Sequence, residues 1–295
     1  MTTEAPTALL SIAGSDPAGG AGIQADLKTC TALGVYGAAA ITCVTVQNSQ
    51  GVRYFEPLEQ QLVYDQIRAV LVDLPISHIK IGMLGSAGVA DAVADALYDF
   101  TGVLVYDPVL NAGDGHTLFP AAALQRLADD LLSKITVITP NLPELATLDR
   151  LPQPPKQLPP LPAGIPADSP LTAAGRLLLR FSQLQAVALT GGHAEPPSDD
   201  LEDWLLTRGN GREFQLTRVE HPRLKSGNLH GTGCTFATAL AACHLLTGDY
   251  QQAMRRAVDF TSAAIKAGAG LPMGDGNGPL AHHLVNRQPC RGRRN

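Results

Sequence analysis

A glycine-rich turn at residues 230–234 contains the residue types that bind anions. It leads into a small, apolar run at residues 236–246, which predicts a buried helix. The first N–H groups of a helix have no intrahelical partner and the dipole is positive there, so glycines would let an anion reach the backbone. Thr232 adds a hydroxyl and Cys234 adds a thiol. The alternative is a turn that merely starts a packed helix, because short glycine-rich patterns often occur by chance.

Polar or glycine-rich residues also follow each of six predicted strands. In chain order they are Gly14 to Gly22, Gln47 with Asn48, Gly82 with Met83, Asp107, Thr139 to Asn141 with Glu144, and Thr190 to His193. In an open parallel sheet, ligands bind beyond the C-terminal ends of the strands. Together with the turn at residues 230–234, these seven loops predict one ligand site at one edge of a sheet.

The elements that position these loops are alternating strands and helices. Apolar runs predict strands at residues 9–13, 38–46, 79–84, 103–107, 135–139 and 186–190, the second of them fully buried. Helical spacing predicts helices at residues 23–33, 58–71, 88–99, 121–132, 173–181, 236–246 and 251–267. Residues 204–207 and 213–219 flank a glycine-rich turn and predict an edge hairpin. The pattern predicts an α/β fold with a central, mostly parallel sheet flanked by helices.

We predict a single domain over residues 1–295. Eight prolines at residues 151–170 exclude a regular helix or strand there. This segment is predicted to be a surface insertion, with a proline-rich motif for a partner protein as the alternative. Residues 284–295, which include the cluster of Arg291, Arg293 and Arg294, are predicted to form a flexible tail.

Composition excludes several classes of protein. The 295 residues are 45% hydrophobic and 17% charged, and the net charge of −5 gives no basic field to attract nucleic acid. No run approaches the ~20 apolar residues that span a bilayer. The five cysteines are an odd number without CxxC spacing, which indicates neither a disulfide framework nor zinc. We therefore predict a cytoplasmic protein that binds neither nucleic acid nor membrane.

Seven segments in this order carry a family resemblance: GSDPAGGAGIQADLK, TVQN, KIGML, YDPVL, TPNLPE, GGH and HGTGC. They resemble the hydroxymethylpyrimidine/phosphomethylpyrimidine kinases of thiamine biosynthesis, which belong to the ribokinase-like superfamily. The resemblance runs from about residue 8 to residue 283. It implies a ribokinase-like three-layer sandwich and a homodimer. It also implies ATP- and Mg²⁺-dependent phosphorylation of 4-amino-5-hydroxymethyl-2-methylpyrimidine, and then of its monophosphate to the diphosphate.

The resemblance also implies roles for individual residues. The substrate-binding residues are Gln47, Asp26, Met83 and Gly14, with the Gln47 amide matching the aminopyrimidine edge. The nucleotide-binding residues are Asn141, Thr190 and Gly192. Glu144 serves Mg²⁺, in part through water, and Asp107 assists in the same region. The catalytic residues are Gly231, Thr232, Gly233 and Cys234.

Cys234 stands where many ribokinase-like kinases have an aspartate as base for the substrate hydroxyl. A helix N-terminus lowers the pKa of a thiol from about 8.5, which predicts a thiolate near neutral pH but also weakens it as a base. Cys243, in the apolar part of the same predicted helix, is expected to lie in the core.

Three departures concern lysines that the family usually has. Thr190 stands directly before GGH, residues 226–229 read SGNL before HGTGC, and Ala112 precedes the Gly-Asp pair after the fourth strand. Lys225 lies slightly upstream of HGTGC and is a candidate to replace the missing lysines. Three hypotheses follow: a pyrimidine kinase, a pyridoxal kinase of the same fold, and a weakened kinase that binds pyrimidine as a regulatory protein.

Overall fold

The computed structural model describes residues 7–113, 115–152, 169–191, 199–209 and 213–285. Within these ranges the strands form one sheet of nine members. They are β1 (Ala8–Ser15), β2 (Tyr36–Asn48), β3 (Gly51–Pro57), β4 (Ile76–Ile81), β5 (Val103–Tyr106), β6 (Val137–Ile138), β7 (Ala186–Leu189), β8 (Asp200–Arg208) and β9 (Phe214–Pro222).

The strand order is β3-β2-β1-β4-β5-β6-β7-β8-β9. Strands β2, β1, β4, β5, β6 and β7 are mutually parallel, whereas β3, β8 and β9 run antiparallel to their neighbours. The prediction of a mostly parallel sheet with an edge hairpin, β8–β9, is confirmed. The strand order reverses at β1, which is the kind of switch point where doubly wound sheets bind ligands.

Helices cover both faces of the sheet. They are α1 (Gly22–Leu33), α2 (Gln60–Asp73), α3 (Ala87–Ala96), α4 (Leu124–Asp130), α5 (Leu142–Asp149), α6 (Pro170–Arg180), α7 (Thr232–Thr247) and α8 (Tyr250–Gly268). Helices α1, α7 and α8 share one apolar core with Leu9 of β1, and α2 to α6 share the other with Leu10 and Ile12. Because strand side chains alternate between faces, β1 supplies both cores. The predicted three-layer sandwich is confirmed.

Strand β2 departs from the prediction of a fully buried strand. Val44 and Val46 are 45% and 39% exposed. The strand is next to the sheet edge, where β3 pairs with it through a turn that the sequence analysis did not identify. The prediction is wrong because full burial needs a helix on both faces, and no such cover lies over these two valines.

Two further differences lie near the middle of the chain. Residues 121–132 form a 3₁₀ turn and the short α4 rather than one helix, and the strand predicted at residues 135–139 is limited to β6. Helix α5 was not predicted. Most of the proline-rich segment and of the predicted tail lie outside the described residues. Within the described ranges no helix is both long and apolar enough to cross a bilayer.

Candidate active site

The strand ends converge on a cavity of about 750 Å³. Its lining includes a residue within two positions of the C-terminal end of each parallel strand, namely Ser15, Asn48, Met83, Asp107, Thr139 and Thr190. The turn before α7 lines the same cavity through Gly231, Thr232, Gly233 and Cys234. The prediction that seven loops meet at one edge of the sheet is therefore confirmed for the described residues.

Asp16 joins the two glycine-rich loops of the cavity. This buried carboxylate accepts the N–H groups of Ala18, Gly20 and Ala21 at 2.8–2.9 Å, and it lies 3.0 Å from Nε2 of His230. Burial favours the neutral acid, but the hydrogen bonds from His230, Ala21 and Ala18 outweigh it and lower the pKa of Asp16. The sequence analysis gave Asp16 no role, yet it fixes the first loop against the last.

Helix α7 begins at the cavity with an open N-terminus. Its N-cap, Gly231, has φ +84°, and no side chain caps the first turn. A side chain at this position would collide with the carbonyl oxygen of Gly20, so only glycine lets the loops approach so closely. The hydroxyl of Thr232 donates to the Leu229 carbonyl at 2.7 Å. The N–H groups of the first turn are thus presented to the cavity as an anion site.

Asp107 and Glu144 form a buried carboxyl pair beside this helix. Burial raises the pKa of Asp107 to about 6 although Lys80 lowers it, and burial together with Asp107 raises the pKa of Glu144 to about 8. Oδ2 of Asp107 is a buried oxygen without a hydrogen-bond partner in the described chain. Glu144 accepts the Asn141 N–H at 2.9 Å and donates its own N–H to Asn141 Oδ1, which is the capping box of α5.

The predicted thiolate of Cys234 is wrong for this setting. Burial raises the pKa of Cys234 to about 12; Lys80 lowers it, whereas Asp107 and Asp26 raise it again. Loss of water and two carboxylates therefore outweigh the helix N-terminus and the lysine. The thiol contacts the Asp107 carboxyl, which lowers the pKa of that acid.

Asp26 lies beneath the cavity rather than in its lining. Its carboxylate is fully buried and lies 3.0 Å from Nζ of Lys80, which is fully buried as well. It also accepts hydrogen bonds from Ser11 Oγ at 2.6 Å and from Thr238 Oγ1 at 2.7 Å. Through these partners Asp26 of α1 contacts three other elements, β1, β4 and α7, and it is not in the cavity lining. The structure gives Asp26 a buried ion pair with Lys80, and its contact with a substrate stays a prediction.

The other predicted substrate residues do line the cavity. Gln47 lies at the end of β2, half-buried, where the β2–β3 register shifts. Gly14 packs so closely that a Cβ there would be 2.8 Å from Cys43 Sγ and 3.2 Å from Met83 Sδ. Gln47 thus supplies an amide beside an apolar wall of Met83 and Leu118. Such a wall with one amide suits a small aromatic ring that has polar edges.

The far end of the cavity lies at strands β7 to β9. Thr190 lines it, and the N–H of the next residue, Gly191, donates to Asp203 Oδ1 at 2.7 Å. Asp203 is buried and lies 3.1 Å from His221 Nε2, and this contact raises the pKa of His221. Asn141 lines the same cavity. Gly192 lies outside the described residues.

Comparison with known proteins identifies the family. The sequence signature described as Phosphomethylpyrimidine kinase matches residues 16–281. The chain belongs to the phosphomethylpyrimidine kinase family. A hydroxymethylpyrimidine/phosphomethylpyrimidine kinase from Haemophilus influenzae is 40% identical over 282 residues, which are 95% of this chain and 97% of that protein. The resemblance seen in the motifs and the phosphotransferase class are confirmed.

Solved structures show the same fold. Pyridoxal kinase from Staphylococcus aureus in complex with ADP has a TM-score of 0.78 at 28% identity, with 97% of each chain covered. Phosphomethylpyrimidine kinase from Clostridium difficile has a TM-score of 0.69 at 30% identity, covering 88% of this chain and 99% of that one. The ribokinase-like fold predicted for this member of the phosphomethylpyrimidine kinase family is confirmed.

Sequence reasoning missed Asp16, Lys80 and Asp203 in this family member. The Asp-Pro pair at residues 16–17 reads as an ordinary turn, and Lys80 sits in the KIGML segment without a role. A lysine inside an apolar strand nevertheless indicates a buried ion pair, because a buried ammonium requires a carboxylate partner. Asp203 gives the weaker signal of an acid within a hydrophobic strand.

Proposed function

We propose that this protein transfers a phosphoryl group from ATP to the hydroxymethyl group of 4-amino-5-hydroxymethyl-2-methylpyrimidine, and then a second one to the resulting monophosphate. The proposal rests on three features that line one cavity. They are the open N-terminus of α7, the Asp107–Glu144 pair, and the Gln47 amide beside its apolar wall. Phosphoryl transfer needs positioning and charge stabilisation more than covalent chemistry.

Each proposed role follows from the chemistry of the group. Gln47 hydrogen-bonds the amino-substituted edge of the ring, while Gly14 and Met83 let the ring lie flat. The N–H groups of Gly231, Thr232, Gly233 and Cys234 stabilise the charge of the phosphoryl group in transfer. Asn141 and Thr190 contact the nucleotide. Cys234 is a protonated group beside Asp107, so Asp107 is the better acceptor for the proton of the substrate hydroxyl.

The carboxyl pair fits Mg²⁺. Glu144 and the unpartnered oxygen of Asp107 are hard oxygen donors; burial raises the pKa of both groups, Asp107 raises that of Glu144 further, and Lys80 only partly offsets the rise at Asp107. Mg²⁺ prefers oxygen and keeps several waters, so two carboxyl groups suffice. When bound, the ion would neutralise phosphate charge. Among the described residues no group of three or more His, Cys, Asp or Glu forms a metal site.

The proposal extends to the whole molecule. One sheet includes strands from Ala8 to Pro222, which supports a single kinase domain. Val46 and Tyr54 are cross-strand partners on the exposed face of β2 and β3, and Tyr54 is 60% exposed. This apolar patch supports a homodimer, which sedimentation would test. Cys30, Cys43 and Cys234 are free thiols among the described residues, which supports a cytoplasmic location.

Coupled ADP release tests the activity, with the hydroxymethylpyrimidine, its monophosphate and pyridoxal offered separately. We expect turnover of both pyrimidines. Turnover of pyridoxal alone favours the pyridoxal kinase hypothesis, which the fold similarity to that enzyme supports. Tight pyrimidine binding with no turnover contradicts the kinase proposal and favours the regulatory protein.

The Gln47→Ala variant tests the assignment of the ring site. We expect the KM for the pyrimidine to rise about 10-fold, as for loss of a buried hydrogen bond, with nucleotide binding unchanged. Gln61→Ala is the control, because Gln61 is exposed on α2 and hydrogen-bonds only Asp65 among the contacts seen there. An unchanged KM for Gln47→Ala removes Gln47 from the site.

A further inference from the structure

The charge lining the cavity does not match a nucleotide's polyphosphate. Four carboxyl side chains line it: Asp16, Asp107, Glu144 and Asp203. Among the described residues, Arg223 is the one lysine or arginine in that lining. A nucleoside triphosphate adds about four negative charges, and bringing these near carboxylates is costly in a partly desolvated cleft. Mg²⁺ at the carboxyl pair would offset part of this charge, and a cation of the protein is needed for the rest.

The two histidines near the glycine loops and β9 do not supply that charge. His221 lies 3.1 Å from Asp203, and His230 lies 3.0 Å from Asp16. Each pair has no net positive charge even when its imidazole is protonated. Lys225, the substitute considered from the sequence, is exposed and does not line the cavity.

Arg223 is well placed to act at the nucleotide end. It follows directly after β9, and its N–H donates to the Asp199 carbonyl at 2.7 Å, which fixes its backbone beside the start of β8. It is half-buried, with one guanidinium nitrogen fully buried. The sheet register puts Arg218 level with Leu189 at the end of β7, so Arg223 lies past that level, where the chain has left the strands. Arg223 lines the same cavity as Thr190 and Asp203.

We propose that Arg223 is the fixed positive charge that holds the nucleotide's polyphosphate in this protein. The inference rests on the proposed function and adds the residue that determines nucleotide affinity. A guanidinium can bind two phosphate oxygens at once and stays charged at every working pH. It therefore offsets the carboxylates of the cavity in the place of lysines, which are absent from its described lining.

The test is equilibrium binding of ADP and of a non-hydrolysable ATP analogue by calorimetry, together with the KM for ATP. For Arg223→Gln we expect both dissociation constants and the KM to rise about 10–100-fold, with the KM for the pyrimidine unchanged. The control is Arg218→Gln on the same strand. Arg218 is 52% exposed, pairs with Glu202 and does not line the cavity, so this variant should bind nucleotide as the wild type does.

A second variant separates charge from structure. Thr190→Lys added to Arg223→Gln returns one positive charge to the lining of the same cavity, and we expect nucleotide affinity to recover by at least about 3-fold. No recovery means that the loss was structural and contradicts the proposal, as does unchanged affinity in Arg223→Gln itself. If Arg223→Gln fails to fold, Arg223→Lys replaces it, with a smaller loss expected.

The outcomes also separate this inference from the proposed function. A wild type that binds nucleotide but turns over neither pyrimidine contradicts the function, while nucleotide binding by Arg223→Gln still decides the role of Arg223. A wild type with full kinase activity and an unimpaired Arg223→Gln variant contradicts the inference alone.

Discussion

The thiol of Cys234 is held beside two carboxylates in a site that disfavours its ionisation. Burial raises its pKa to about 12 even though Lys80 opposes the rise. We expect iodoacetamide to alkylate Cys234 at pH 7.5 more than about 100-fold slower than a free cysteine of pKa about 8.5. Mass spectrometry of the labelled folded protein measures the rate, and Cys234→Ser identifies the peptide. Rapid labelling at neutral pH would mean that the thiolate is present.

Glu144 makes stability depend on pH. A carboxyl group whose folded-state pKa is above its unfolded value takes up protons on folding, so stability falls as pH rises between the two values. For Glu144 this window runs from about 4.3 in the unfolded chain to about 8 in the folded protein. Without Mg²⁺ we expect the Tm to fall from pH 5 to pH 8. Glu144→Gln keeps the capping box, and its Tm at pH 8 should be higher on the order of 5 °C.

The control for this pH series is Glu59→Gln. Glu59 also accepts an N–H group at a helix start, from Leu62, but it is exposed at the surface. Its substitution should leave the pH dependence of the Tm as it is in the wild type. A Glu144→Gln variant with the wild-type slope shows that other groups cause the dependence.

At the level of the element, α7 begins and ends with a glycine in the same left-handed conformation. Gly231 has φ +84° and Gly248 has φ +68°. A Cβ on Gly248 meets nothing within 4 Å, whereas one on Gly231 collides with the Gly20 carbonyl. Gly248→Ala should therefore cost about 1 kcal/mol of stability and no activity. Gly231→Ala should force the loops apart and lower kcat about 100-fold or more.

Circular dichroism and steady-state kinetics measure the two alanine variants together. Both should keep the helical signal, because each changes only a helix end. Equal kcat values in the two would show that the close approach of Gly20 and Gly231 is unimportant for catalysis.

The elements were predicted well where the helical or strand period was clear. Helix α1 ends at Leu33, as the helical spacing predicted, and Gly34 at φ +77° forms its C-cap. Strand β3 was missed because its residues 51–57 contain charges and a proline, which is common in an edge strand. Helix α5 was missed although Asn141 and Glu144 form a capping box, a signal that the sequence contained.

At the scale of the whole molecule, a buried ion pair joins the sheet to one helical layer. Lys80 of β4 pairs with Asp26 of α1, and Thr238 of α7 donates to the same carboxylate. Removing one partner leaves a buried charge, so Lys80→Met should cost about 3–5 kcal/mol of unfolding free energy. Lys80→Met/Asp26→Leu should recover most of it. Urea denaturation measures both, and equal losses in the single and the double variant would contradict an ion-pair role.

Asp26→Asn distinguishes this structural role from the substrate contact implied by the family resemblance. A loss of stability with an unchanged KM for the pyrimidine is expected. A raised KM at full stability would return Asp26 to the substrate site.

The location of the site could be predicted from the sequence, but the contacts among its residues could not. The rule that parallel strands end at one edge was enough to bring together Gln47, Asp107, Glu144 and the turn at residues 230–234. The rule does not say how deeply each side chain is buried. It therefore could not distinguish Gln47, which lines the cavity, from Asp26, which lies beneath it. Nor could the rule predict which charges surround Cys234 of α7, because Lys80 comes from β4 and Asp107 follows β5. These contacts depend on packing across the layers, which local pattern does not encode.

The hydrogen bond between Asp16 and His230 joins residues 214 positions apart. During synthesis at about 5–20 residues per second, the first glycine loop exists for roughly 10–40 s before its partner has been made. Until then no other described side chain replaces His230 at the Asp16 carboxylate, and the loop has no α7 to pack on. A nascent or truncated chain that ends before α7 therefore has most of the sheet but lacks the catalytic pocket, so the chain acquires activity only when its last quarter has been made.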